Sequence, residues 1–469
     1  MEGLCRGKPL QKTLYIENLG CAKNQVDGEA LAAVLLDSGW RLTETPAEAG
    51  LIIVNTCGFI EAAKKESLAS IMAFRRRCPR AVIIAAGCLS ERYGTELSAS
   101  LPEADGIFGN RDLRRIADFA ESLCRKTSLK THKKTRTGKA AVHEGRLLLP
   151  LVYAGLPRRK RIFSPPGSVY IKAAEGCDNA CTYCAIPRIR GTLRSRSAKS
   201  IAAEVKGFLA KGISEFNLVA QDLGSYGRDL KPSTNLTALL CAILDIPGDF
   251  RVRLLYIHPE HFPREVLALC RGDTRLLQYF DLPFQHASPK ILRAMGRTHT
   301  AAENLDLVRG IRKALPGAVL RSTFLVGFPG ETDEDFRALR DFQEKAAFDW
   351  LGCFAYSAEE DTPAHSLHRK KALRVPKKIS AARKRMIEEA QVPITEKRLE
   401  RFVGTAAWLL VEENVLGEKL ALARAWFQAP EVDGLTVLAA DTPPRPGTLV
   451  RAKIIRRSGF DLEAVVAEE

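Results

Sequence analysis

Cys177, Cys181 and Cys184 stand within one run, Cys-Asp-Asn-Ala-Cys-Thr-Tyr-Cys. This run limits the fold more tightly than anything else in the chain. Thiolates are soft ligands that suit zinc and iron–sulfur clusters. Three of them in one loop can hold three corners of a cubane cluster and leave the fourth iron open to a small molecule. Structural zinc sites are normally closed by a fourth Cys or His. The loop offers neither, and the next His downstream is His258. Zinc would need a ligand from a distant part of the chain. The apolar run Val169–Ala173 reads as a strand that leads straight into the loop.

The chain has 469 residues, and at about 150 residues per domain it has room for roughly three domains. Its start has no apolar core of signal-peptide length. Stretches such as Ala81–Leu89 are far too short to span a bilayer. The expectation is a cytoplasmic protein with no membrane segment. Twelve cysteines are too sparse for a disulfide scaffold, which leaves ligands and buried thiols. The net charge of +16 favours an anionic partner such as RNA or a ribosomal surface. Much of the excess is local. Arg125 to Lys139 holds seven Lys or Arg and no acid, and Arg158 to Arg161 adds four. A solvated basic linker accounts for these runs as well as a binding patch does.

Hydrophobic patterning divides the chain into four parts. Residues 10–125 alternate strand and helix: strands at Thr13–Leu19, Leu51–Asn55 and Ala81–Ala86, helices at Val26–Ser38 and Phe59–Arg77. Such alternation predicts a parallel sheet covered by helices. Residues 126–166 are a basic linker with an apolar stretch at Leu147–Leu156. Residues 167–400 repeat strand then helix about six times, with strands at Phe216–Val219, Arg251–Tyr256, Gln278–Leu282, Val319–Val326 and Leu351–Tyr356. Six units suit a partial, open α/β barrel. Residues 401–469 carry four short β-like runs, Ala406–Glu412, Ala421–Trp426, Thr436–Ala439 and Val450–Ile455, separated by Gly, Pro and Asp, which predicts a small antiparallel barrel. The fold class is therefore α/β with a small terminal β-barrel.

A second set of cysteines follows the strands of the first part. Cys21, Cys57 and Cys88 each come within two residues of a strand end. Loops at the carboxyl ends of parallel strands share one edge and line the ligand crevice, so three thiolates far apart in sequence can meet there. Three separate buried thiols remain the alternative. Cys5, Cys78 and Cys124 lack this placement. Further candidates lie at strand ends of the barrel. Gln221 and Asp222 suit cofactor or substrate contact, although Asp also suits a helix cap or turn. Gln285 is positioned to face a cofactor, and His286 beside it reads as structural. Gly327, in Phe-Leu-Val-Gly-Phe-Pro-Gly-Glu-Thr, would let backbone approach a cofactor, or simply make a turn. Arg188, Arg190, Arg194 and Arg196 follow the cysteine loop, where they could neutralise a cluster, bind a carboxylate or meet a substrate.

The Cys-x3-Cys-x2-Cys spacing, with Tyr183 just before the last Cys, resembles the radical S-adenosylmethionine enzymes. The runs Asn-Leu-Gly-Cys-Ala-Lys-Asn-Gln-Val-Asp-Gly-Glu, Val-Asn-Thr-Cys-Gly-Phe-Ile and Ala-Gly-Cys-Leu resemble the amino-terminal domain of the methylthiotransferases. The last part resembles the TRAM domain that ends that family. The resemblance implies two 4Fe-4S clusters: a radical cluster on Cys177, Cys181 and Cys184, and an auxiliary one on Cys21, Cys57 and Cys88. It implies S-adenosylmethionine as cofactor, with Tyr183, Asp222, Gln285 and Gly327 among its contacts. Asn-Thr-Cys-Gly-Phe-Ile, Tyr-Ser-Ala-Glu-Glu-Asp-Thr-Pro-Ala and Ala-Pro-Glu-Val-Asp-Gly resemble the branch that modifies an aspartate on the twelfth protein of the small ribosomal subunit. A tRNA substrate marks the competing branches, and a non-catalytic RNA- or ribosome-binding protein with structural metal is the alternative outside this chemistry. Partners implied are that ribosomal protein, a low-potential electron donor and an RNA contact through the TRAM domain. The family pattern has Gly where Asp361 stands, and two Thr where Leu223 and Gly224 stand.

Overall fold

The computed structural model describes residues 12–130, 140–143 and 158–467. Cys5, the basic run from 131 to 139 and the apolar Leu147–Leu156 stretch lie outside them. The chain divides into two compact units: residues up to Phe163 with Ala185–Thr192, and Ser164–Cys184 with Leu193 onward.

The first unit is a parallel sheet of β1 (Thr13–Asn18), β2 (Arg41–Leu42), β3 (Leu51–Thr56), β4 (Val82–Gly87), β5 (Gly106–Phe108) and β6 (Ala141–His143), in the order β2-β1-β3-β4-β5-β6. Its helices are α1 (Ala22–Asp37), α2 (Glu61–Arg77), α3 (Cys88–Arg92), α4 (Gly94–Ser100), α5 (Ile116–Lys130) and α6 (Ile186–Arg190). Successive residues of a strand point to opposite faces. Leu51, Ile53, Val82 and Ile84 therefore pack under α1 and α5, while Ile52, Val54, Ile83 and Ala85 pack under α2 and α4. Burial on both faces explains why these strands are unbroken apolar runs.

The α1 helix starts four residues before its expected position. Its polar first turn hides the start, and Cys21 at the N-cap makes no side-chain cap bond. Its buried Glu29 holds the end of the connector: Arg159 pairs with Oε2 at 2.5 Å and the Phe163 amide donates to Oε1 at 2.9 Å. Lys160 pairs with Asp37 at 2.5 Å, and Arg161 pairs with Glu44. Arg159 is thus buried on an acid of this unit, while Arg158, Lys160 and Arg161 stay exposed.

The second unit opens with a parallel sheet of β7 (Ser168–Lys172), a two-stranded ribbon of β8 (Ala174–Glu175) and β9 (Arg194–Ser195), then β10 (Glu215–Val219), β11 (Arg251–Leu254), β12 (Leu276–Asp281), β13 (Val319–Val326) and β14 (Trp350–Ala355). The sheet order β14-β13-β12-β11-β10-β7 follows the chain and does not close, as a half barrel should. Helices α7 (Ala198–Leu209), α8 (Leu236–Leu244), α9 (Val266–Gly272), α10 (Pro289–Ala294), α11 (Ala301–Ala314), α12 (Asp333–Ala346), α13 (Pro363–Arg369) and α14 (Lys377–Glu400) alternate with the strands or follow them. Capping boxes start α11 at Thr300–Glu303 and α12 at Thr332–Asp335.

The remaining strands, β15 (Ala406–Asn414), β16 (Leu420–Ala425), β17 (Thr436–Ala439), β18 (Leu449–Ser458) and β19 (Asp461–Val466), close a five-stranded barrel in the order β15-β16-β17-β19-β18. The expectation of four antiparallel runs needs correcting. β19 completes the closure, and it pairs with β17 in parallel.

A buried ionic cluster joins this barrel to the half barrel inside the second unit. Glu215 accepts from both guanidinium nitrogens of Arg424, at 3.0 and 2.8 Å, and from Arg253 at 3.1 Å. Arg253 also donates to the Trp426 carbonyl at 2.7 Å. Beside it, Asp433 accepts from Tyr279 at 2.6 Å and faces Arg321 at 3.4 Å. Burial alone would raise the Glu215 pKa, but the two arginines hold it well below the usual carboxylate range. Removing one member of such a cluster strands the others in a dry interior. Glu215→Gln is expected to cost about 3–5 kcal/mol at neutral pH. The depressed pKa makes that contribution complete above the ordinary value of 4.5 and lost as pH falls below it. Urea unfolding at neutral pH and at lower pH checks this: the gap between wild type and variant should shrink on acidification.

Candidate functional site

The first unit gathers Cys21, Cys57 and Cys88 at one edge of its sheet. They follow β1, β3 and β4, and the order β2-β1-β3 makes the β1/β3 gap a topological switch point, where open α/β sheets bind ligands. Asn24 ties the loops together, donating to the carbonyls of Leu19 at 2.7 Å, Asn55 at 3.1 Å and Thr56 at 3.3 Å. Ser67 holds the Cys57 backbone, accepting its amide at 3.0 Å. Gly20 sits at φ +94°, and a Cβ there would lie 2.8 Å from Cys57 Cβ, so only glycine lets these two loops approach.

The three thiols share one electrostatic environment. Burial raises the Cys88 thiol to about 12 against the pull of Arg190, with Cys21 and Cys57 adding to the rise. Burial raises Cys57 as well. Crowding opposes ionisation at Cys21, yet Lys23, Arg190 and the amides opening α1 bring its pKa below the ordinary value. Arg190 acts on all three. Its Nη2 lies 3.0 Å from Cys88 Sγ. Among the described residues no three Cys, His, Asp or Glu side chains form the shell of one metal ion. Three thiols beside a buried cation are a donor set that an iron–sulfur cluster can use.

The second unit holds Cys177, Cys181 and Cys184 in the loop after β8, at the carboxyl end of the half barrel. The loop is fastened at Thr182. Its amide donates to Met295 O at 3.0 Å, its hydroxyl to Ala294 O at 2.7 Å, and its carbonyl accepts from Ala364 at 2.9 Å. Gly296, at φ +75°, brings the end of α10 so close that a Cβ would sit 2.5 Å from Ala180 O. Tyr183 packs against Ile291, Met295, Leu325, Phe328 and Ala364, and its hydroxyl accepts from buried Arg297 at 3.0 Å. Its observed contacts are those of a loop anchor. Burial raises the Cys177 thiol to about 11, with the Asn179 amide opposing and Asp222 and Cys181 adding to the rise. A cavity of about 390 Å³ opens beside the loop, lined by residues including Asp178, Asn179, Arg228 and His261.

Gln221 and Asp222 follow β10 and differ sharply. Asp222 accepts from the amides of Gly224 at 3.1 Å and His258 at 3.0 Å on Oδ1, and from Asn179 at 2.9 Å, Ser225 at 2.7 Å and His261 at 2.6 Å on Oδ2. Five donors use the capacity of a carboxylate, which offers about four lone-pair sites. Burial would raise its pKa, but bonds from His261, Asn179 and Ser225 hold it well below the usual range. Its geometry is that of the cap and anchor, with no lone pair left for a cofactor. Gln221 donates to Glu175 at 3.0 Å while its buried Oε1 finds no partner among the described residues. That orphaned acceptor suits a donor such as a cofactor ammonium.

Gln285 takes φ +69°, a strained conformation for a residue with a side chain, while its backbone bridges to β13. Gly327 donates its amide to Glu331 at 2.6 Å and packs on Ser380 of α14, which is reason enough for a small residue there. His286 is fully buried and accepts the Ser288 amide at 3.0 Å, as a structural residue would. Asp361 takes φ +62°, which explains why glycine suits this position and aspartate is tolerated.

The sequence matches the uncharacterized protein family UPF0004 over residues 13–109, the radical SAM superfamily over 171–342 and a TRAM domain over 403–467. Ribosomal protein uS12 methylthiotransferase RimO of Treponema denticola is 45% identical, over 95% of this chain and 99% of its own length. The protein of that name from Desulfosudis oleivorans is 41% identical, over 96% and 98%. The chain belongs to the RimO family. Its likeness to the solved radical S-adenosylmethionine methyltransferase TsrM of Kitasatospora setae is one of fold, with a TM-score of 0.52 at 17% identity over 76% of this chain and 77% of that one. As a radical SAM protein, this RimO family member uses a 4Fe-4S cluster and S-adenosylmethionine. No described helix is long and apolar enough to cross a membrane.

Asp222→Asn tests the anchor. It replaces one acceptor oxygen with an N–H2 donor facing donors that then lack an acceptor, at a cost of about 1–3 kcal/mol. Denaturant unfolding should read that loss, and hydrogen exchange should quicken at residues 178–182.

Proposed function

We propose that this protein inserts a methylthio group at the β-carbon of an aspartate side chain on ribosomal protein uS12. The observation that carries the reading is the pair of cysteine trios, one in loops after the parallel strands β1, β3 and β4 and the other in the loop after β7 and β8. A single cluster would serve radical chemistry alone, and the second trio supplies what sulfur insertion needs. Similarity to RimO proteins along nearly the whole chain supports the substrate.

Cys177, Cys181 and Cys184 would hold the radical cluster, and Cys21, Cys57 and Cys88 the auxiliary one. When bound, the first with S-adenosylmethionine supplies a radical able to take hydrogen from an unactivated carbon, and the second supplies the sulfur. The chain's own residues do the rest. Gln221 Oε1 would accept from the cofactor ammonium. Asp222 and Asn179 hold the shape of the cysteine loop, and Tyr183 with Arg297 fixes it from behind. Gln285 and Gly327 bring backbone to the same strand ends. Apolar packing around Tyr183 keeps water from that side of the loop. A low-potential reductant would supply the electron. The exposed Arg451 and Lys453 of β18, beside exposed Trp408 in register with Arg451, suit contact with RNA or the ribosome. The reduced thiols of the chain fit the cytoplasm.

The test is an anaerobic reaction of reconstituted protein with S-adenosylmethionine, sulfide and dithionite. A uS12 peptide carrying the aspartate and unmodified tRNA are offered separately, and mass spectrometry reads the products. Methylthiolated aspartate is expected; addition only to a tRNA nucleoside would overturn the substrate. Cys181→Ala should abolish cofactor cleavage and reduce bound iron to that of one cluster. Gly296→Val, which adds a clash with Ala180 O to a backbone strain of about 1–2 kcal/mol, should lower iron occupancy and cleavage in the same direction with the fold retained by circular dichroism.

A further inference from the structure

Arg190 ends α6 six residues after Cys184, but its side chain serves the other trio. It is 5% exposed. Nη1 pairs with Asp27 Oδ2 at 2.8 Å, and Asp27 is 1% exposed. Nη2 lies 3.0 Å from Cys88 Sγ and 3.4 Å from Asn24 Oδ1. Asn110 Nδ2 approaches the same sulfur at 3.8 Å.

A buried guanidinium is costly unless it is paired, and Asp27 pairs with it. That pair leaves a guanidinium N–H aimed at sulfur. A thiol is a poor acceptor. A metal-bound thiolate carries negative charge, and hydrogen bonds to charged acceptors are about twice as strong as neutral ones. The geometry therefore suits a ligated, anionic Cys88 better than a free thiol. Hydrogen bonds to ligand sulfurs and nearby charge set the potential of an iron–sulfur cluster.

We propose that Arg190 is a positioning residue of the auxiliary cluster: it donates to the Cys88 thiolate and raises the cluster's reduction potential, while Asp27 limits that rise. The proposal rests on the reading of Cys21, Cys57 and Cys88 as the ligands. Extra electron density on the reduced cluster is stabilised by the cation, so loss of Arg190 favours the oxidised form. Loss of the Asp27 charge favours the reduced form. The two substitutions shift the potential in opposite directions, which a merely structural ion pair would not do.

The experiment uses full-length protein with Cys177, Cys181 and Cys184 all changed to Ala, reconstituted anaerobically with iron and sulfide. Iron and sulfide per chain are measured first. A chain without a cluster would overturn the ligand reading and the proposal with it. With the cluster present, redox titration followed by electron paramagnetic resonance reads the midpoint in four variants. Arg190→Met should reduce the ratio of reduced to oxidised cluster at a fixed potential about tenfold, or about 59 mV for one electron. Arg190→Gln, which keeps an N–H donor, and Arg190→Lys, which keeps the charge, should fall between Met and wild type. Asp27→Asn should move the midpoint upward. An unchanged midpoint with full cluster occupancy in Arg190→Gln or Arg190→Lys and in Asp27→Asn would overturn the proposal, as would shifts of the same sign.

Discussion

In a parallel sheet every strand ends at the same edge, and the site depends on that constraint. Cys21, Cys57 and Cys88 are separated by more than thirty residues at each step, as their numbers show. They come together because β1, β3 and β4 point the same way. The same rule puts Gln221, Gln285 and Gly327 at the mouth of the half barrel with the second cysteine loop. Antiparallel strands would have sent alternate residues to the opposite end. The apolar, β-branched runs that make these strands suitable for burial on both faces are thus also what collects the thiols.

Charge is placed with equal economy. A net charge of +16 suggests a surface built for anions, but several of its arginines are spent internally. Arg159 is buried on Glu29, Arg190 on Asp27, and Arg253 and Arg424 on Glu215. Each ties together parts of a unit distant in sequence. In the second unit the Glu215 cluster makes the terminal barrel part of the half barrel's core instead of a tethered appendage. Net charge counts residues without regard to partners, so it overstates the surface that could meet a nucleic acid.

The strands that precede the cysteines were legible because they are local signals: a run of β-branched residues, then a thiol. β13 at Val319–Val326 has the bounds the sequence implies. What stayed hidden depends on partners far along the chain. Arg190 reads as one of four arginines beside the radical loop, and nothing near it announces Cys88, more than one hundred residues earlier. Arg297 meets Tyr183 in the same way. β19 was missed because its alternation of Asp, Leu, Glu and Ala is weak until the closed barrel buries Leu462 and Ala464. Asp361 is instructive in the other direction. Its departure from glycine has no sequence-level explanation, yet φ +62° supplies one at once.

Gln221 and Asp222 show how a ligand contact can be told from a structural polar group. Both follow β10, both carry two oxygen or nitrogen ends, and both are plausible from sequence. Pairing decides between them. Asp222 has a donor for every lone pair, so a cofactor atom could approach only by displacing His261, Asn179 or a backbone amide. Gln221 spends its amide on Glu175 and keeps a buried carbonyl oxygen without a partner. Leaving such an atom unsatisfied costs about 1–3 kcal/mol, a cost that a donor on a ligand would remove. By this reasoning Asp222 holds the loop, and Gln221 is the one of the two with acceptor capacity left. An orphaned acceptor is therefore a better guide to the contact than a carboxylate already surrounded by donors.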